Sequence, residues 1–165
     1  MKVLIACVGN IFLGDDGFGV EVARSLSKRQ LPEGVAVKDY GIRGFDLAYA
    51  MLDPWDLIVI VDALSRGEAA GTLYLIEPEL NRPASADTAL NPHGMDPVRV
   101  LSLAASMGTI SGQVLVVGCE PHDLGDELEG RMGLSSPIQG VVEAASDMIL
   151  DLVASKASES RQANA

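Results

Sequence analysis

Five short apolar runs punctuate the chain, at Lys2–Val8, Val35–Tyr40, Leu57–Asp62, Thr72–Ile76 and Gln113–Gly118. Most are nearly continuous in Val, Ile and Leu, the pattern of strands covered on both faces. Thr72–Ile76 alternates instead, which predicts an edge strand or an antiparallel partner. Helical periodicity fills the intervals at Gly17–Arg29, Phe45–Leu52, Pro97–Met107 and Ile138–Ala154. Asp96-Pro97 and Ser136-Pro137 each place a capping side chain ahead of a proline, a helix start. This order predicts an α/β fold, a three-layer sandwich with a twisted, mainly parallel five-stranded sheet flanked by helices. Residues 1–154 are expected to form one domain, with 155–165 as a frayed tail. One stretch, Glu77 through Met95, is long for a loop in a compact domain, and such loops tend to be functional.

Composition narrows the partners. The chain has 165 residues, 48% hydrophobic and 21% charged, within the range of a globular domain. Its net charge of −11 excludes the basic footprint that nucleic acid or an anionic membrane requires. The two cysteines, Cys7 and Cys119, sit in apolar stretches and read as buried free thiols of a reducing compartment. No stretch reaches the length of a membrane span, and Val3 to Val8 is too short for a signal-peptide core. The expected setting is cytoplasmic, and the expected state a monomer.

Three polar residues stand where strands end. Asp16 closes the run Gly9-Asn10-Ile11-Phe12-Leu13-Gly14-Asp15-Asp16-Gly17 after the first strand, and Asp62 terminates the third. In an open parallel sheet ordered 2-1-3-4-5, ligands sit beyond the carboxyl ends of strands one and three, where the order reverses. Both carboxylates fall at that crevice. His93, in Asn91-Pro92-His93-Gly94, must reach it through the long loop. Together the three form a candidate site for a divalent metal. Each also has a plainer role open to it. Asp15 and Asp16 suit capping of the following helix, and Asp62 suits capping of the next turn. His93 suits a solvent-exposed loop, and His122 is a rival ligand. Dinucleotide binding is rejected, because the glycine spacing is wrong and two carboxylates occupy the helix start that pyrophosphate would need.

The motifs then resemble a known family. Val8-Gly9-Asn10, Gly14-Asp15-Asp16-Gly17-Phe18-Gly19, Asp62-Ala63 and the loop His93 are similar to those of the hydrogenase maturation endopeptidases. The likeness extends to Asp39-Tyr40-Gly41-Ile42-Arg43-Gly44-Phe45-Asp46-Leu47, to Gly118 through Pro121 and to Leu134-Ser135. The resemblance implies a protease that removes the C-terminal extension of a [NiFe]-hydrogenase large-subunit precursor once its nickel is installed. It implies Asp16, Asp62 and His93 as metal ligands and catalytic groups, and Asp39 and Gly41 as substrate-binding residues. The nickel would arrive with the precursor rather than reside in the protease. Cys7 stands where many members have glycine, and Ile42 where threonine is common.

Mixed oxygen and nitrogen donors suit nickel, zinc or manganese without choosing among them. Neither G-x-S-x-G nor H-E-x-x-H occurs, so serine-hydrolase and zincin readings lack support. A carboxylate serving as general base gives an aspartic-type endopeptidase. The competing reading is a non-catalytic metal-binding or maturation chaperone on the same fold.

Overall fold

The computed structural model describes residues 1–78, 96–125 and 128–163. The strands are β1 (Val3–Val8), β2 (Val35–Gly41), β3 (Leu57–Ala63), β4 (Leu73–Ile76) and β5 (Gln113–Cys119). The helices are α1 (Phe18–Leu26), α2 (Gly44–Ala50), α3 (Pro97–Met107), α4 (Ser136–Gln139) and α5 (Val142–Ala163), with a 3-10 turn at Gly14–Gly17. The expected three-layer sandwich is present. Successive β1 residues point to opposite faces. Val3, Ile5 and Cys7 pack with α1 and α5, while Leu4, Ala6 and Val8 pack with α2 and α3. All six are buried, as are Leu57 through Val61 of β3, which is why these runs read as continuously apolar.

The sheet order is β2-β1-β3-β5-β4. β1 lies parallel to both β2 and β3, and β3 parallel to β5. β4 pairs antiparallel with β5, Leu73 opposite Cys119. The last two strands are thus exchanged relative to the order 2-1-3-4-5. A short return from β3 leaves β4 running backwards on the outer edge, and β5 takes the inner position. The reversal between β1 and β3 survives the exchange.

Two other expectations change. The last helical stretch is two elements, α4 and α5, parted by a tight i→i+3 bond from the Val141 amide to the Ile138 carbonyl, 3.2 Å. The tail does not fray at 155, because α5 continues to Ala163. Alanines and the Lys156–Glu159 pair, 3.0 Å, favour helix there.

Candidate active site at the carboxyl edge of the sheet

The loop after β1 is shaped by two close approaches. Gly9 has a φ of +144°, and a Cβ on it would lie 2.0 Å from the carbonyl oxygen of Asp16. The chain therefore folds back over the end of β1 and sets Asp16 above it. There the Asn10 amide donates to Asp16 Oδ2 at 2.8 Å. Gly19, in the first turn of α1, is held as tightly: a Cβ would sit 2.1 Å from the Val8 carbonyl oxygen and 2.5 Å from that of Val61. Only glycine lets α1 rest directly on the ends of β1 and β3. That contact puts Asp16 beside Asp62.

Asp62, the penultimate residue of β3, is buried, and its Oδ1 accepts the Ala63 amide at 2.8 Å. Burial pushes its carboxyl well above the ordinary range, and the neighbouring charges of Asp16 and Asp96 add to the rise. The Asp16 carboxyl is also raised, by burial, against the opposing Asn10 hydrogen bond. Two carboxylates that cannot comfortably ionise together suit a shared proton or a shared cation. Among the described residues no group of three or more His, Cys, Asp or Glu side chains is placed to hold a metal ion. His93 lies outside the described residues.

Asp39 and Gly41 form the next corner. Gly9 donates its amide to the Gly41 carbonyl at 3.0 Å, so this corner adjoins the Asp16 loop. Asp39 Oδ1 accepts the Gly41 amide at 2.8 Å, closing an Asx turn in which Gly41 takes a φ of +53°. A Cβ on Gly41 would meet nothing closer than 3.9 Å, so the glycine answers a backbone need and leaves open space above it. Arg43 fastens the corner by donating from Nη2 to the Asp39 carbonyl at 2.5 Å and from Nε to that of Tyr40 at 3.1 Å.

Asp15 does something the doublet Asp15-Asp16 did not announce. No side chain caps the 3-10 turn or α1. Asp15 is instead fully buried and reaches across the molecule. Its Oδ1 accepts the Ser135 amide at 2.6 Å, and its Oδ2 accepts the His122 amide at 2.9 Å, the Asp123 amide at 2.8 Å and the Ser135 hydroxyl at 2.8 Å. Burial raises its carboxyl, but these bonds outweigh burial and hold it below the ordinary range. The turn carrying Asp16 is thereby tied to the loop after β5 and the entry to α4. His122, exposed, serves through its backbone. The available signal was the doublet itself, two carboxylates of which only one faces the crevice.

Glu120 plays a matching part on the far side. The Tyr74 hydroxyl and the amides of Arg66 and Gly67 donate to it, and they hold its carboxyl low. This orders the loop after Asp62, with Arg66 stacked over the Tyr74 ring at 5.4 Å. The cysteines lack nucleophilic character. Burial raises both thiols, Cys119 to about 12 with help from Asp15 and Glu120.

Comparison with known proteins bears on the fold and the family. The model of the hydrogenase maturation protease family matches residues 20–152. The hydrogenase 2 maturation protease of Escherichia coli is 31% identical over 152 residues, covering 91% of this chain and 89% of that protein. The structure of the hydrogenase maturating endopeptidase HybD from E. coli superposes with a TM-score of 0.74 at 27% identity, covering 94% of each chain. A solution structure of an endopeptidase from the same organism gives a TM-score of 0.76 at 29% identity, over 92% of this chain and 91% of that one.

Proposed function

The chain belongs to the hydrogenase maturation protease family and is a peptidase, and we propose that it trims the C-terminal extension from a nickel-loaded [NiFe]-hydrogenase large-subunit precursor. The observation that carries this reading is the paired carboxylates Asp16 and Asp62, brought to the β1–β3 crevice by the Gly19 contact. Membership in a family of proteases sets aside the chaperone alternative.

In this reading the precursor's nickel is part of the substrate. Asp16, Asp62 and His93 engage it, and a cation there relieves the mutual repulsion of two raised carboxylates. The donor set of carboxylate and imidazole is compatible with nickel. His93 is assigned by the resemblance of its loop motif, Asn91-Pro92-His93-Gly94. Docking the metal places the scissile peptide beside a carboxylate that accepts a proton from the attacking water, an aspartic-type hydrolysis. Asp39 and Gly41 line the approach and contact the precursor. We place the reaction in the cytoplasm, with the protease a monomer. No helix among the described residues is long and apolar enough to cross a membrane.

The test is substitution. Asp16→Asn and His93→Ala are expected to keep their fold by circular dichroism and to leave the precursor's C-terminal mass unchanged. Trimming at the wild-type rate by both variants contradicts the site assignment.

A further inference from the structure

The turn that carries Asp16 lies between two walls, both supplied by the chain that follows β5. The first wall is Asp123. Its carbonyl accepts the Asp15 amide at 2.9 Å. A Cβ on Gly14, where φ is +56°, would stand 2.7 Å from that same carbonyl oxygen. The second wall is Arg131. Its amide donates to the Phe12 carbonyl and its carbonyl accepts the Gly14 amide, each at 2.7 Å, around an isolated parallel bridge between Leu13 and Arg131. Phe12, Gly14 and Asp15 are thus fastened from both sides, up to the residue before Asp16.

The side chains of the two walls meet. Arg131 Nη1 is ion-paired with Asp123 Oδ2, while Asp123 Oδ1 accepts the Gly125 amide at 2.8 Å. The pair closes a ring that runs from Asp15 to Asp123, on to Arg131, and back to Phe12 and Gly14. Asp16 takes its aim from what the ring encloses. Its amide donates to the Leu13 carbonyl at 3.1 Å, and its Oδ2 accepts the Asn10 amide at 2.8 Å. Asn10 is held by the same turn, accepting the Leu13 amide at 3.1 Å on its carbonyl and the Phe12 amide at 3.0 Å on Oδ1. Displacing Phe12–Asp15 therefore moves both groups that orient the Asp16 carboxylate.

The second wall has little burial to hold it, since Gly130 through Gly133 are all exposed. The pair itself is about half exposed, 49% for Arg131 and 41% for Asp123, and a pair of that kind adds little to overall stability. Its effect falls on local opening of the turn.

We propose that Asp123 and Arg131 are positioning residues, whose ion pair clamps the turn and so fixes Asp16 for cleavage. This rests on the reading of Asp16 as part of a precursor-trimming site.

The experiment uses the full chain and a nickel-loaded large-subunit precursor, with Arg131→Ala, Asp123→Asn, the double variant and Arg131→Lys. None of these removes a backbone donor or acceptor, so the pair alone is tested. Each single variant should melt within about 4 °C of wild type. Its kcat should fall by about tenfold, less than the roughly hundredfold that a 1 Å misplacement can cost. KM should stay within about twofold, because the loss lies in the transition state. The double variant should be no more than about threefold slower than either single one, since partners in one contact are not additive. Arg131→Lys keeps the cation and should recover most of the rate. Hydrogen exchange gives a readout without precursor: in Arg131→Ala the Gly14, Asp15 and Arg131 amides should exchange about tenfold faster or more, with those of β1 unchanged. A kcat for Arg131→Ala within about twofold of wild type overturns the proposal. So do losses that multiply in the double variant, or Arg131→Lys as slow as Arg131→Ala. Faster exchange in Arg131→Ala, beside a wild type that leaves the precursor uncut, refutes the trimming reading and upholds the clamp.

Discussion

Replacing Asp15 with asparagine should loosen the site without touching it. Asp15 is 0% exposed and accepts from Ser135, His122 and Asp123. The least harmful orientation of an asparagine turns its amide toward the Ser135 N–H and keeps its oxygen on the three donors that Oδ2 now serves. Two donors then face each other, and a buried N–H is left unsatisfied at a cost of about 1–3 kcal/mol. The remaining bonds lose their charge assistance, which roughly halves their strength. The expected total is about 3 kcal/mol, a fall in Tm of roughly 6–12 °C for a chain of this size. Because the bonds hold the folded carboxyl below its unfolded value near ~3.9, the stabilisation is fully present above that value. It is lost as pH falls through the depressed folded value. Urea unfolding of wild type and Asp15→Asn at several pH values measures the gap. It should be constant from about pH 6 to 8 and close below about pH 4. A difference under about 0.5 kcal/mol at neutral pH, within the scatter of ordinary surface substitutions, contradicts this role for Asp15.

Gly19→Ala should destabilise by about 1–3 kcal/mol or more, since its methyl would overlap two backbone carbonyls that cannot swing aside; calorimetry checks this, and an unchanged Tm contradicts it. Gly41→Ala meets no crowding, so its cost should be only the left-handed backbone, about 1–2 kcal/mol. Gly41→Asn should recover part of that loss in the same melt, because asparagine tolerates the left-handed region. Cys7 and Cys119 should resist a thiol reagent at pH 8 until the chain unfolds, because both are buried and their thiols are raised. Rapid native labelling of either would contradict that environment.

Much of the architecture was readable from residue pattern. The buried parallel strands advertise themselves because β1 and β3 are apolar on both faces, and the alternation in Thr72–Ile76 correctly marks an antiparallel edge. The order of the last two strands was not readable, since hydrophobicity records how deeply a strand is buried but not which neighbour it has. The meeting of Asp16 and Asp62 followed from strand ends and the switch between β1 and β3, and it survived the exchange of β4 and β5. The role of Asp15 was hidden. Its partners Ser135, His122 and Asp123 lie more than a hundred residues away, and three of its four bonds come from backbone amides that carry no side-chain signature. Tail helicity was missed because small polar residues fit a helix as well as a frayed end.

In the proposed reaction a carboxylate crevice cuts a precursor presented by its own nickel. Intact-mass analysis of a large-subunit precursor incubated with the wild-type chain, once nickel-loaded and once nickel-free, tests it directly. The loaded precursor alone should lose its C-terminal extension. Equal trimming of both forms, or of neither, contradicts it.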